Sequence, residues 1–183
     1  MKDVATRLEV GTMSLYYYVD DKTTLLVQMV GRLYADVEVP SAARPWRERV
    51  EAIAHQLYRG HQSVPGLDPH LFILAEAPLA SVLTVANATN RAMLDAGLHE
   101  RAATMAARAV LGYAADRGAS TAKRLALRRA NPTLPKLQSV DGTVEAGEGP
   151  SYAALVGDYD DVFAFGLGCL LDGIDQQIPL PPA

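Results

Sequence analysis

Three consecutive tyrosines, Tyr16, Tyr17 and Tyr18, stand in the run Thr12-Met13-Ser14-Leu15-Tyr16-Tyr17-Tyr18-Val19. Three adjacent phenols are not all buried in one short element, because each buried hydroxyl needs an internal partner. When exposed, phenol and threonine hydroxyls donate hydrogen bonds to phosphate oxygens, which positions a protein on a nucleic acid without reading its sequence. Lys22 follows at the start of a further helical pattern, where its charge and the helix N-terminus both suit a phosphate. The chemistry open to this segment is phosphate recognition.

The elements around it can present those side chains. A first helix is predicted from Lys2 to Glu9, with Val4, Ala5 and Leu8 on one side, and Val10-Gly11 break it. A second runs from about Thr12 to Val19. A third runs from Lys22 to Val37, capped by Asp20 or Asp21, with Leu25, Leu26, Met29, Leu33 and Val37 at helical spacing. Two short helices meeting at a tight turn make helix-turn-helix geometry, in which the second helix enters a major groove. Leu15 and Val19, four apart, are expected to face a small core with Leu8, leaving Thr12, Met13, Tyr16 and Tyr17 outward.

From Ala5 to Leu26 the chain reads A-x-x-L-x-V-G-T-M-S-L-Y-Y-Y-V-x-x-K-x-x-L-L. This resembles the DNA-binding signature of tetracycline-repressor-type (TetR family) regulators, most closely the actinobacterial wording of it. The resemblance implies that Thr12, Met13, Ser14, Tyr16, Tyr17, Tyr18 and Lys22 face DNA, and that Lys2 matches a position that approaches it. Three positions depart from the family pattern. Gly11 stands where Ser or Thr is usual, Tyr17 where relatives carry a more polar group, and Glu9 where the turn glycine belongs. A positive φ at Glu9 is expected to cost on the order of 1 kcal/mol. The family places another helix and a basic arm ahead of this point. A chain starting at the second helix is expected to leave Leu8, Leu15, Val19 and Leu25 partly uncovered. Between Met1 and Pro40 four basic residues face six acidic ones, a net charge of −2. Phosphate neutralisation is therefore weak, and the chain as it stands is expected to bind DNA poorly.

The whole chain has 183 residues, 49% of them hydrophobic and 21% charged, with a net charge of −4. That is enough apolar material for a sizeable core, and it excludes a wholly basic nucleic-acid coat. A single cysteine, Cys169, excludes an internal disulfide framework and a cysteine-based zinc site. No signal peptide opens the chain and no apolar run reaches the roughly 18–20 residues that span a bilayer, so a cytoplasmic location and no membrane partner are expected.

Ala and Leu are frequent and β-branched alternation is scarce, which predicts an all-α fold. Further helices are predicted from Pro45 past Tyr58, over His70–Ala77, from Pro78 to Ala96, over Ala102–Ala115 and from Asp158 to Gln177. The stretch from Gly118 to Pro150 is read as a long, partly ordered connection that opens with the basic run Lys123, Arg124, Arg128 and Arg129. The division expected is a partial DNA-binding head with its connecting helix, residues 1–40, and a helical regulatory domain, residues 41–183.

No constellation supports catalysis. The histidines lack i,i+4 metal spacing, Ser120 and Ser151 lack a nucleophile elbow, and Gly166-x-Gly168 follows no strand. No enzyme activity, cofactor or metal is expected. For a small-molecule pocket, Tyr58, His61, Asn87 and Asn90 are the candidate polar anchors, with Phe72, Met93 and Tyr113 as walls. The resemblance further implies dimerisation through the last long helices, with Ala106, Val110, Tyr113, Phe163, Leu167, Leu170 and Ile174 as the interface. The function expected is a ligand-responsive transcriptional regulator, a homodimer released from a palindromic duplex operator by a small-molecule effector. The alternative is a helical small-molecule-binding protein or sensor without DNA binding.

Overall fold

Side-chain caps set the start of two helices, the third and the last. In the computed structural model, which describes residues 1–75, 79–131 and 158–179, the described residues form seven α-helices and no strand. They are α1 (Lys2–Arg7), α2 (Thr12–Tyr16), α3 (Lys22–Ala35), α4 (Trp46–Gln62), α5 (Ala80–Asp95), α6 (Glu100–Ala130) and α7 (Tyr159–Asp175), with one 3-10 turn, Leu71–Leu74. Asp21, not Asp20, caps α3, accepting from the Thr24 amide at 2.7 Å. Asp158 caps α7, accepting from the Asp160 amide at 3.0 Å.

The same C-terminal closure ends α1 and α5. At α5 the Gly97 amide donates to the Leu94 carbonyl and the Leu98 amide to that of Met93, with Gly97 at φ 102°. At α1 the Glu9 amide donates to Thr6 and the Val10 amide to Ala5, with Glu9 at φ 56°. Both are Schellman motifs, whose pivot residue is left-handed and normally glycine. Glu9 is the only non-glycine with positive φ among the described residues. Replacing Glu9 with Gly is expected to stabilise the α1–α2 turn by up to about 1 kcal/mol, since the added freedom of the unfolded glycine offsets part of the relieved strain. Native-state hydrogen exchange of the α1 and α2 amides should then slow severalfold.

The core lies where α4, α5, α6 and α7 meet, around Ile53, Leu57, Met93, Val110 and Leu171. The α6 helix is its axis and buries mostly small residues: Ala103, Ala107, Ala114 and Gly118 among them. Small side chains let neighbouring backbones approach closely. A Cβ at Gly118 would collide with the Tyr58 carbonyl of α4. That contact explains a departure from the sequence expectation. Gly118 does not end the helix at about Ala115; it is the crossing point with α4, and α6 continues to Ala130 through strong helix formers. The basic run is thus the exposed last turns of α6, with Arg124 and Arg128 over the Tyr159 ring at 5.8 and 5.7 Å. The predicted helix His70–Ala77 is shorter than expected, only the 3-10 turn, and its Glu76 and Ala77 lie outside the described residues.

α3 joins the head to this body. Val27, Val30 and Tyr34 form its buried face, and the Ser81 hydroxyl of α5 donates to the Gly31 carbonyl at 2.8 Å.

Candidate nucleic-acid interface and effector site

The short helix α2 buries none of its residues. Thr12, Met13, Ser14 and Tyr16 are exposed along it, and Tyr17 and Tyr18 continue the surface at 85% and 79% exposure. The Tyr17 and Tyr18 rings meet edge to face, 5.3 Å between centroids, which gives the pair a fixed shape while leaving both hydroxyls in solvent. Lys2 and Lys22 are exposed at the starts of α1 and α3. All eight side chains assigned to DNA from the sequence therefore lie on the surface of the head. Behind them Ala5 and Val19 are buried and Leu15 is half-buried. Leu8, expected in that small core, is instead 60% exposed. Beside Lys22, the backbone amide of Thr24 holds the Asp21 carboxyl below its usual pKa, so the acidic cap stays charged at this surface.

The seven residues expected to line a pocket fall in different neighbourhoods of the body. His61 and Phe72 share a neighbourhood: the Tyr34 ring lies 6.1 Å from His61 and 6.4 Å from Phe72. His70 and Asp116 complete it, paired at 2.9 Å. Tyr58 and Tyr113 belong elsewhere. They stack on Phe163 at 4.0 and 5.7 Å, and their hydroxyls already donate, Tyr58 to Asp160 at 2.7 Å and Tyr113 to the Val162 and Phe163 carbonyls at 3.3 Å. Burial pushes the Tyr58 phenol up to about 12, so it stays a donor. Met93 is sealed in the core and Asn87 is exposed. Asn90 is half-buried, with its Oδ1 buried and unpartnered.

His61 is the exceptional residue of the body. It is fully buried, and neither ring nitrogen has a hydrogen-bond partner among the described residues. A neutral imidazole carries one donor and one acceptor, and leaving both unmet in a core is costly unless a ligand meets them. Burial pulls its pKa down to about 4, against the opposing pull of Asp116. The unfolded chain therefore takes up a proton near its ordinary 6.5 that the folded chain refuses. The expected result is that unfolding free energy falls as pH drops from about 6.5 towards about 4, with a shallower fall in a His61→Leu variant. Denaturant titrations across that range measure it. Sequence reasoning missed Tyr34, His70 and Asp116 around this histidine. Tyr34 was legible, since Val27, Val30 and Tyr34 keep i, i+3, i+7 spacing on α3.

The residues expected at a dimer interface differ in exposure. Val110, Phe163, Leu167 and Ile174 are buried inside the chain and offer no surface to a partner. Ala106, Tyr113 and Leu170 are half-buried. The exposed apolar positions on the same helices are others: Met105 at 62% on α6, and Val162 and Phe165 at 44% and 76% on α7, with Cys169 one turn on.

No helix among the described residues is long and apolar enough to cross a membrane. Residues 39–178 match the family model described as tetracyclin repressor-like, C-terminal domain. The HTH-type transcriptional repressor DrrR1 of Streptomyces coeruleorubidus is 31% identical over 200 residues, covering 97% of this chain and 70% of that protein. Among solved structures, ActR of Streptomyces coelicolor in complex with actinorhodin superposes with a TM-score of 0.68 at 22% identity, over 98% of this chain and 88% of that one. BioQ of Mycobacterium smegmatis gives 0.66 at 22% identity, over 96% and 86%. BioQ with its double-stranded DNA operator gives 0.57 at 21%, over 95% and 84%. At those identities the structures establish the all-α fold, and the family match and the curated relative establish kinship: the chain belongs to the tetracyclin repressor-like family.

Proposed function

We propose that this protein is a homodimeric repressor that holds a palindromic operator through α2 and releases it when a small molecule enters the body near His61. Residues 1–40 act as the DNA-binding head and residues 41–183 as the regulatory and dimerisation domain. The observation that carries the reading is that α2 has no fully buried residue and turns Thr12, Met13, Ser14 and Tyr16 outward, with only Leu15 half-buried behind them, so that face is free for a duplex groove. A relative named as a transcriptional repressor, and fold neighbours solved with actinorhodin and with an operator, support the same reading.

α3 links the two activities. It starts at Lys22 beside the recognition surface and brings Tyr34 against His61 and Phe72. An effector that meets the unpartnered nitrogens of His61 bears on Tyr34 and so on the angle of α3. An effector preferring the released state 100-fold supplies about 2.7 kcal/mol of coupling. In the dimer, Met105, Val162 and Phe165 form the partner-facing surface, and two α2 helices sit about one DNA turn, ~34 Å, apart. The protein works by binding, not as an enzyme.

Selection from a random duplex library tests this. The expected product is an inverted repeat with half-site centres about one turn apart. The net charge of −2 over residues 1–40 favours a second reading, a ligand sensor that does not hold DNA. A library with no enriched sequence, from protein that still binds a small molecule, would establish that one instead.

A further inference from the structure

Apart from the His61 cluster, the structure holds a cleft of about 460 Å³ between α3 and α4. None of its lining residues belongs to that cluster. Its floor is apolar, Met29 and Leu33 on α3 with Val37 just beyond the end of that helix, facing Gly60 on α4 and Val64 just past its end. The two helices run antiparallel here: the Glu38 amide donates to Gln56 at 2.8 Å near one end, and Leu33 lies over Gly60 in the middle. A Cβ at Gly60 would come within 3.0 Å of Leu33, so the missing side chain sets the depth of the groove. Within α3, Met29 and Leu33 stand one turn apart, about 6 Å at 1.5 Å per residue, and Val37 follows past the helix end.

The two rims differ in charge. On the α3 rim Arg32 is neutralised by Asp36 at 2.8 Å. On the α4 rim Arg59 is exposed and pairs with no carboxylate among the described residues. An elongated apolar floor beside one uncompensated guanidinium matches a molecule with an extended hydrocarbon part and a single negative end. The volume lies within the usual range for small-molecule sites. We propose that this cleft is a second small-molecule site, that it takes a medium-chain carboxylate with the chain along Met29–Leu33–Val37, and that Arg59 pairs with the carboxylate. Its occupant lies directly between the helix that carries the head and the helix that carries His61. The binding itself does not depend on the operator reading.

Calorimetric titration of the full chain with decanoate tests the proposal, with 1-decanol as the uncharged control. The expected result is one saturable site per chain for decanoate and binding about tenfold or more weaker for decanol, because the charge-assisted pair is lost. Arg59→Ala removes an exposed side chain without structural ties and should weaken decanoate to the level of decanol. Arg59→Glu should turn the preference towards decylamine, a readout that a folding defect would not produce. Ser63→Trp should fill the cleft and abolish binding. His61→Leu should leave decanoate binding unchanged. No saturable heat with decanoate, equal binding of decanol, or loss in His61→Leu with Arg59→Ala unaffected would each overturn the assignment. None of those results would bear on DNA binding, which the duplex selection decides separately.

Discussion

Alanine at Thr12, Tyr16 and Tyr17 together is expected to lower operator affinity of the full-length protein by at least about 100-fold while leaving effector binding and the unfolding midpoint nearly unchanged. Each hydroxyl in a phosphate contact contributes about 1 kcal/mol, and 1.4 kcal/mol is a factor of ten, so three per half-site reach that level in one head alone. The stability half of the prediction follows from exposure. Thr12 and both tyrosines stand on the surface of a helix that buries nothing, and exposed substitutions of this kind shift stability by only about 0.5 kcal/mol. Salt dependence separates the roles further. Neutral hydroxyls release no counterions, so the triple variant keeps the slope of log affinity against log salt; Lys22→Ala should reduce it by about one unit per head. Mobility shift across a salt series measures both. Unchanged operator affinity in the triple variant would remove α2 from the interface.

What could be read in the sequence, and what could not, follows from the physics of each segment. The head was legible because short-range rules decide it. Asp21 caps, Val10-Gly11 interrupts, and Glu9 takes the left-handed conformation expected at the glycine position of the turn. Helix α6 was misjudged at its far end because Gly118 is read locally as a breaker, whereas the approach of the Tyr58 carbonyl is a tertiary fact. Four of the residues expected at the dimer interface turn inward for a general reason. Apolar periodicity marks the face a helix turns to its own core, so Val110, Phe163, Leu167 and Ile174 report the inside of the chain. A partner surface appears as apolar residues off that stripe, as Val162 and Phe165 do on α7.

The pocket candidates are spread apart for a different reason. Sequence spacing places Asn87 and Asn90 three apart, yet Val85, Thr89, Ala92 and Met93 define the buried face of α5, and Asn87 falls outside it. The useful signal was polarity without a partner. His61 is fully buried in the last turn of α4, on the same face as Leu57 and Tyr58, and its ring nitrogens have no partner among the described residues. The proposed effector role of His61 rests on what the fold leaves unmet. The cost is visible in the pH dependence expected for this chain, and in that proposal the neighbouring Tyr34 links the residue to α3.

Phe163→Ala is expected to be the most damaging single substitution in the body. Phe163 is 1% exposed and lies between two phenol rings, parallel to Tyr58 within 4° and to Tyr113 within 13°, with the His55 ring edge-on at 5.2 Å. Removing a buried Phe costs about 3–5 kcal/mol, against about 5–15 kcal/mol of total stability for a typical chain. The loss extends beyond the cavity. Tyr113 donates to the carbonyls of Val162 and Phe163, and Tyr58 to Asp160, so the aromatic stack and these hydrogen bonds together dock the start of α7 onto α4 and α6. At this chain length the unfolding midpoint should fall by about 10 °C. Phe165→Ala, two residues on and 76% exposed, is the contrasting case. It removes nothing from the core and should leave the far-ultraviolet spectrum intact, but it strips the largest apolar group from the proposed partner surface. Sedimentation should then show a dimer weakened in Phe165→Ala even though the subunit remains folded. A Phe165→Ala protein that dimerises as tightly as the parent would place the interface on another face of the molecule. A Phe163→Ala protein that keeps its midpoint would mean that α7 is held by something other than the aromatic stack.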